Sequence, residues 1–208
     1  MLTIGVVGGV ASGKSEVARG FERLGCARLD ADSVGHAVLE EGEVRQALRL
    51  HWGEAVFAAD GRVDRAAVAQ QVFSAAACGA AELEFLERLT HPRIGRRLAT
   101  QLAWLRQQVD LPGVVLDAAV MIKAGWDRFC DEIVFVEVPR ELRMQRALAR
   151  GWTSQQFVRR EAAQLPLLDK RRRADWIIDN SGTLEETFQQ VQSLWDLLRR
   201  RASGTRPI

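Results

Sequence analysis

Residues Gly8-Gly9-Val10-Ala11-Ser12-Gly13-Lys14-Ser15 fit the spacing G-x-x-x-x-G-K-[ST] of a phosphate-binding loop. Each residue type has a task in that chemistry. Glycines let the backbone curl so that successive N–H groups face one concavity, a nest for phosphate oxygens. A following helix presents its N-terminus to the same anion. Lys14 brings a mobile charge within reach of the β- and γ-phosphates, and Ser15 offers a hydroxyl to Mg²⁺. With Glu16 in the first helical turn, Gly8, Gly9, Val10, Ala11, Ser12, Gly13, Lys14 and Ser15 form the expected ATP-binding set.

Further candidates lie outside the loop. Arg146, Arg150 and Arg160 are guanidinium groups that can clamp phosphate oxygens and neutralise transition-state charge. Lys170 opens the basic run 170–173, which reads as a solvated turn or a contact to a substrate phosphate. Asp117 ends an apolar run and is a candidate Mg²⁺ group acting through water. Asp32 sits just past another apolar run, where ligands gather in open α/β sheets. It reads either as a base for an attacking hydroxyl or as the N-cap of a helix starting at Ser33. His91, before Pro92, reads as a substrate contact or a lock on a helix start.

The loop needs a strand before it and a helix after it. Four of the six residues 2–7 are apolar, and the run stops at Gly8-Gly9, which predicts a buried strand. Residues 14–24 carry Val17, Ala18, Phe21 and Leu24 at helical spacing, and Gly25 ends them. Further strands are predicted at 26–29, 114–117, 133–138 and 176–179. Residues 33–108 read as mostly helical, with a turn at 59–62, Asp64 as an N-cap and two helices at 80–89 and 92–108. In that reading Pro92 occupies the first turn of the second helix. Helices are also predicted at 141–150 and 154–164, and a last one to about residue 201 behind the capping box Thr183/Glu186.

Strands alternating with helices predict a parallel sheet with helices on both faces, an α/β fold of the P-loop kinase type. The expected organisation is one domain. Its core covers about 1–32, 112–140 and 174–201, with a long helical insertion at about 33–111.

Composition narrows the function. Hydrophobic and charged shares of 47% and 27% are those of a globular domain, which excludes a disordered or fibrous chain. A net charge of +2 argues against nucleic acid as the main partner. Only Lys14, Lys123 and Lys170 among 29 basic residues are lysines. Cys26, Cys78 and Cys130 are widely spaced and predict reduced thiols in the cytoplasm. Residues 1–9 lack a basic segment and a long apolar one, so no signal peptide is expected, no apolar run reaches membrane length, and the tail after residue 201 is expected to be loose. An N-K-x-D base-reading motif is missing, which disfavours a GTPase.

Several later segments carry a more specific resemblance. Asp30-Ala31-Asp32 with His36, the run Leu86 to Ile94 containing His91-Pro92, Gln145-Arg146 with Arg150, Arg160 to Gln164, and Lys170…Ala174-Asp175…Asn180 are similar, in order and spacing, to the dephospho-coenzyme A kinase family. The resemblance spans about residues 2–195. It implies a five-stranded parallel core, a substrate-binding role for the helical insertion at about 33–111, a short lid at about 146–173, and the reaction of ATP with 3′-dephospho-CoA to give ADP and CoA, in a monomer or small homo-oligomer. It favours the base role for Asp32, catalytic roles for Lys14 and Arg146, and substrate contacts for His91, Lys123, Arg160 and Lys170.

The chain also departs from that family. Ala119 and Lys123 stand where Pro and Glu are usual, Ala11 where Gly is usual, and Glu16 where Thr is common. Alanine in the loop is expected to require a negative φ. Lys123 keeps open another small-molecule kinase, for a nucleotide or sugar acid. An ATP-binding regulatory protein is the alternative from a different class.

Overall fold

The computed structural model describes residues 1–73 and 79–202; Cys78 and the tail 203–208 lie outside them. The described residues form two compact units. One comprises Met1–Asp30 with the residues from Ala99 onward, and the other is Ala31–Leu98.

The first unit is built on five parallel strands, β1 (Leu2–Gly8), β2 (Ala27–Asp30), β3 (Gly113–Asp117), β4 (Glu132–Glu137) and β5 (Trp176–Asp179), in the order β2-β3-β1-β4-β5. The central strands are continuous apolar runs because both of their faces are covered. On one face, α1 (Lys14–Arg23) and α9 (Leu184–Ala202) pack over Ile4, Val6, Val115, Val134 and Val136. Phe21 of α1 meets Trp195 of α9 edge to face, with centroids 6.2 Å apart. The capping box opening α9 is formed as expected: Glu186 N–H donates to Thr183 Oγ1, and the Glu186 carboxylate accepts from Thr183 N–H. On the other face, a Cβ at Gly5 would lie 2.7 Å from Met121 Sδ and Cys130 Sγ, so that approach requires glycine. The predicted parallel α/β sheet is therefore observed.

After β4 come α6 (Arg140–Ala149), α7 (Ser154–Ala162) and α8 (Leu167–Arg172). The short α8 is an element the sequence reading did not contain; its run of charges masked a single buried position, Lys170.

The second unit is helical: α2 (Ala31–Leu39), α3 (Gly42–Trp52), α4 (Arg65–Val72) and most of α5 (Gly79–Leu105). Asp64 caps α4 by accepting from the N–H groups of Ala66 and Ala67. The two helices expected around Pro92 are one continuous helix of 27 residues with proline inside it. Proline removes one helical N–H and crowds the preceding turn. Side chains take up carbonyls in that turn: Thr90 Oγ1 donates to Leu86 O at 2.7 Å and Arg93 Nη1 to Leu89 O at 2.9 Å. The apolar face continues through the proline with buried Ile94, Leu98 and Leu102, so packing outweighs the local break.

Candidate functional site

The phosphate loop leaves the carboxyl end of β1, the strand flanked by β3 on one side and β4 on the other. That is the topological switch point of the sheet, where open α/β folds bind ligands. Gly13 caps α1 with φ 84°, a left-handed conformation, and its carbonyl accepts from Glu16 and Val17 N–H groups. The first-turn N–H groups of a helix lie beyond its own acceptors, so this end of α1 is suited to an anion.

Four carbonyls of the loop accept side-chain hydrogen bonds. Lys170 Nζ donates to Gly8 O at 3.1 Å, Lys14 Nζ to Gly9 O at 3.0 Å, Arg143 Nη1 to Val10 O at 3.3 Å and Asn180 Nδ2 to Ser12 O at 2.8 Å. Among the described residues there is no cis peptide, and in a trans peptide the N–H points opposite to the carbonyl. Holding those carbonyls therefore orients the N–H groups of Gly9, Val10, Ala11 and Gly13 the other way.

Ala11 overturns one expectation. Its φ is 57°, positive, where the sequence reading required a negative value. The left-handed conformation costs a non-glycine residue about 1–2 kcal/mol. Burial of its methyl group with Val10, Ala147 and Phe157 opposes that cost. Glu16, which stands where Thr is common, forms an ion pair with Arg19 one turn on.

Lys170 is not on a solvated turn. It is 3% exposed and donates to Gln164 Oε1 at 2.6 Å as well as to Gly8 O. Burial, reinforced by the positive charges of Lys14 and Arg143, pulls its ammonium down to a pKa of about 8. Lys123 is exposed and lines, with Lys170, Gln164, Ala119 and Val7, a small cavity beside β1. The three lysines of this arginine-rich chain thus gather around the loop and the cavity next to it.

Arg146 donates from Nη2 to Asn180 O at 2.8 Å. Arg150 is exposed at the C-cap of α6. Arg160 lies over the Trp152 ring at 4.4 Å, and burial lowers its pKa. The sequence reading missed Arg143, which is 2% exposed. It binds Glu161 Oε1 at 2.8 Å in addition to Val10 O, joining α6, α7 and the loop. One sign was available: Arg143 stands four residues before Ala147 on the buried face of α6.

Asp117 is 6% exposed, and its Oδ2 accepts from Arg28 Nη2 at 2.7 Å. Asp30 is its register partner on β2 and lies 3.6 Å from the same guanidinium. Arg28 keeps two neighbouring carboxylates from repelling each other at the strand ends. The sequence reading assigned it no role.

In the helical unit, Asp32 is exposed in the first turn of α2, which begins at Ala31 and so earlier than the N-cap alternative required. An anionic side chain is favoured at that helix end. His91 is half-buried within α5, immediately before Pro92.

A phosphate loop at the switch point of a five-stranded parallel sheet defines a P-loop kinase fold. Comparison with known proteins carries this further. A family model for dephospho-CoA kinase matches residues 2–186. A dephospho-CoA kinase of Geobacter sulfurreducens is 36% identical over 94% of this chain and 98% of its own length. Among solved structures, a Thermus thermophilus protein superposes with a TM-score of 0.75 at 32% identity, covering 95% of this chain and 97% of its own. A Campylobacter jejuni dephospho-CoA kinase shares the fold with a TM-score of 0.68 at 20% identity, over 98% of both chains. The chain belongs to the dephospho-CoA kinase family.

Proposed function

We propose that this protein transfers the γ-phosphoryl group of ATP to the ribose 3′-hydroxyl of 3′-dephospho-CoA, giving CoA and ADP in the last step of CoA synthesis. The observation that carries this is the loop itself, with four carbonyls tied back by Lys170, Lys14, Arg143 and Asn180. Such a loop meets the triphosphate with oriented N–H groups, and preorganised dipoles cost no rearrangement during reaction. The bond from O3′ to Pγ forms as the bond from Pγ to the β–γ bridging oxygen breaks, and ADP leaves. The hydroxyl proton passes to the Asp32 carboxylate, which also orients the nucleophile. Lys14 and Arg146 neutralise charge on the transferring group, with Arg150 on the ATP phosphates. His91, Lys123, Arg160 and Lys170 serve the acceptor side. Residues 33–111 form the acceptor-binding part and 146–173 the lid.

Ser15, and Asp117 through water, would hold the Mg²⁺ that accompanies ATP, and the ion would offset charge on the β- and γ-phosphates. The residues present fit that use. Ser15 contributes a hydroxyl in the first turn of α1, and Asp117 accepts from Arg28 through Oδ2 at the end of β3. Among the described residues no group of three His, Cys, Asp or Glu forms a metal cage. Mg²⁺ is commonly held by phosphates, waters and one or two side chains rather than by such a cage.

A cytoplasmic location rests on cysteine usage: Cys26 and Cys130 are unpaired thiols, each pushed by burial up to a pKa of about 12. No helix among the described residues is long and apolar enough to cross a membrane.

The test is ADP release from Mg-ATP with 3′-dephospho-CoA, run beside Asp32→Asn. Activity in the parent and a loss of roughly a hundredfold or more in the variant are expected. Undiminished turnover in the variant removes the base role. A parent that binds ATP without transferring to dephospho-CoA, but transfers to a nucleotide or sugar acid, replaces the acceptor.

A further inference from the structure

Asn180 follows β5 directly and is 3% exposed, yet all four of its polar groups are engaged. Its backbone N–H donates to Glu137 O at 3.0 Å, and its backbone carbonyl accepts from Arg146 Nη2 at 2.8 Å. Its side-chain Nδ2 donates to Ser12 O at 2.8 Å, and Oδ1 accepts from Thr187 Oγ1 at 2.8 Å. We propose that Asn180 is a positioning residue for phosphoryl transfer. Its amide aims the Gly13 N–H into the phosphate nest, and its carbonyl holds the Arg146 guanidinium.

The orientation of the amide is determined by its neighbours. Ser12 O can only accept, so it requires the Nδ2 edge. The Thr187 hydroxyl meets the remaining Oδ1 edge. A flipped amide would set two acceptors against each other at Ser12. Residue 13 is constrained by the same contact: a Cβ there would lie 2.2 Å from Asn180 Nδ2, and φ is 84°. Glycine at this position thus serves both the left-handed turn and the approach of the amide.

Ser12 is fully buried, and among the described residues its own hydroxyl is a buried group without a hydrogen-bond partner. Asn180 Nδ2 is the side-chain donor to the buried peptide carbonyl of Ser12. Removing Nδ2 leaves a buried acceptor unsatisfied, and rotation of the Ser12–Gly13 peptide toward another donor turns the Gly13 N–H away from the phosphates. ATP then binds only the fraction of molecules with the peptide correctly turned, and its apparent affinity falls by that fraction.

The proposal rests on the phosphoryl-transfer reading above, so its first readout is one that needs no acceptor. Calorimetric titration of ATP into Asn180→Ala, and into Thr187→Val as the milder variant, should show the dissociation constant rising at least tenfold and a few-fold, respectively. Tenfold corresponds to about 1.4 kcal/mol. In turnover assays KM for ATP rises while KM for dephospho-CoA stays within twofold of the parent. A purely structural role would lower the melting temperature of both variants and leave ATP affinity intact. ATP affinity within twofold of the parent in folded Asn180→Ala, or in Thr187→Val should the first variant fail to fold, overturns the proposal. Failure of the parent to phosphorylate dephospho-CoA would overturn the functional reading instead, and the ATP titration would still decide the role of Asn180.

Discussion

The contribution of Lys170 to the stability of this protein should rise with pH between about 8 and 10.5. Its ammonium is buried, and burial together with Lys14 and Arg143 lowers its pKa from 10.5 to about 8. Below pH 8 the group is charged in both folded and unfolded states, and the folded state bears the cost of the buried charge. From about 8 to 10.5 the folded protein has released the proton while the unfolded chain keeps it. The unfolded state then binds more protons, so unfolding free energy increases with pH. At about 1.4 kcal/mol per pH unit, the gap corresponds to about 3 kcal/mol. Lys170→Met keeps the length of the side chain and removes the titration. Urea unfolding of parent and variant at intervals from pH 7 to 10.5 gives the difference in stability at each pH. Cys26 and Cys130, whose thiols titrate near 9.0 when unfolded and near 12 when folded, act in the opposite direction. They are present in both proteins and cancel in the difference. The parent-minus-variant difference should climb by about 3 kcal/mol, most steeply between pH 8 and 10. A flat difference would refute the reasoning: the ammonium would then be solvated well enough to keep an ordinary pKa, and the bond to Gly8 O would not require a buried charge.

Three further perturbations test separate parts of the structure. Ala11→Gly removes about 1–2 kcal/mol of left-handed strain but also a buried methyl worth about 0.8 kcal/mol and some stiffness of the unfolded chain, so the melting temperature should shift by less than about 4 °C; calorimetry checks this, and a gain of ten degrees would mean the methyl contributes nothing. Arg28→Leu leaves Asp117, 6% exposed, beside Asp30 without its cation, and should cost about 3 kcal/mol in urea unfolding. Adding Asp117→Asn should recover much of that loss, and a double variant no more stable than the single one would argue against the ion pair. Lys123→Glu reverses an exposed charge beside the cavity it shares with Lys170 and should raise KM for the polyanionic acceptor about tenfold, with ATP little changed. The effect should shrink in high salt, and an unchanged acceptor KM at low salt would remove Lys123 from the acceptor site.

The elements that position the loop were legible because their signals are local. The strand at 2–7, the helix from Lys14 and the capping box Thr183/Glu186 each show themselves within a few residues, and each is found close to its expected place. Pro92 misled for a related reason. A proline is a strong local break, but the apolar stripe through Ile94, Leu98 and Leu102 and the side-chain donors Thr90 and Arg93 keep one helix across it. Ala11 was misjudged because a φ angle is imposed by the whole loop, and its compensation comes from Ala147 and Phe157, far along the chain.

By itself, the sequence determined the chemistry: glycines, Lys14 and Ser15 between a buried strand and a helix leave few alternatives to a nucleotide phosphate, and the order of the later motifs narrows the family. Tertiary structure decided what holds that chemistry in place. The donors on Gly8, Val10 and Ser12 come from Lys170, Arg143 and Asn180, more than 130 residues away in the chain. Nothing in a basic run, an arginine on a charged helix or an Asn-Ser-Gly turn marks those side chains as partners of the loop. A buried carbonyl needs a donor from whichever element folding brings beside it, and that element is chosen by the packing of the sheet rather than by proximity in sequence.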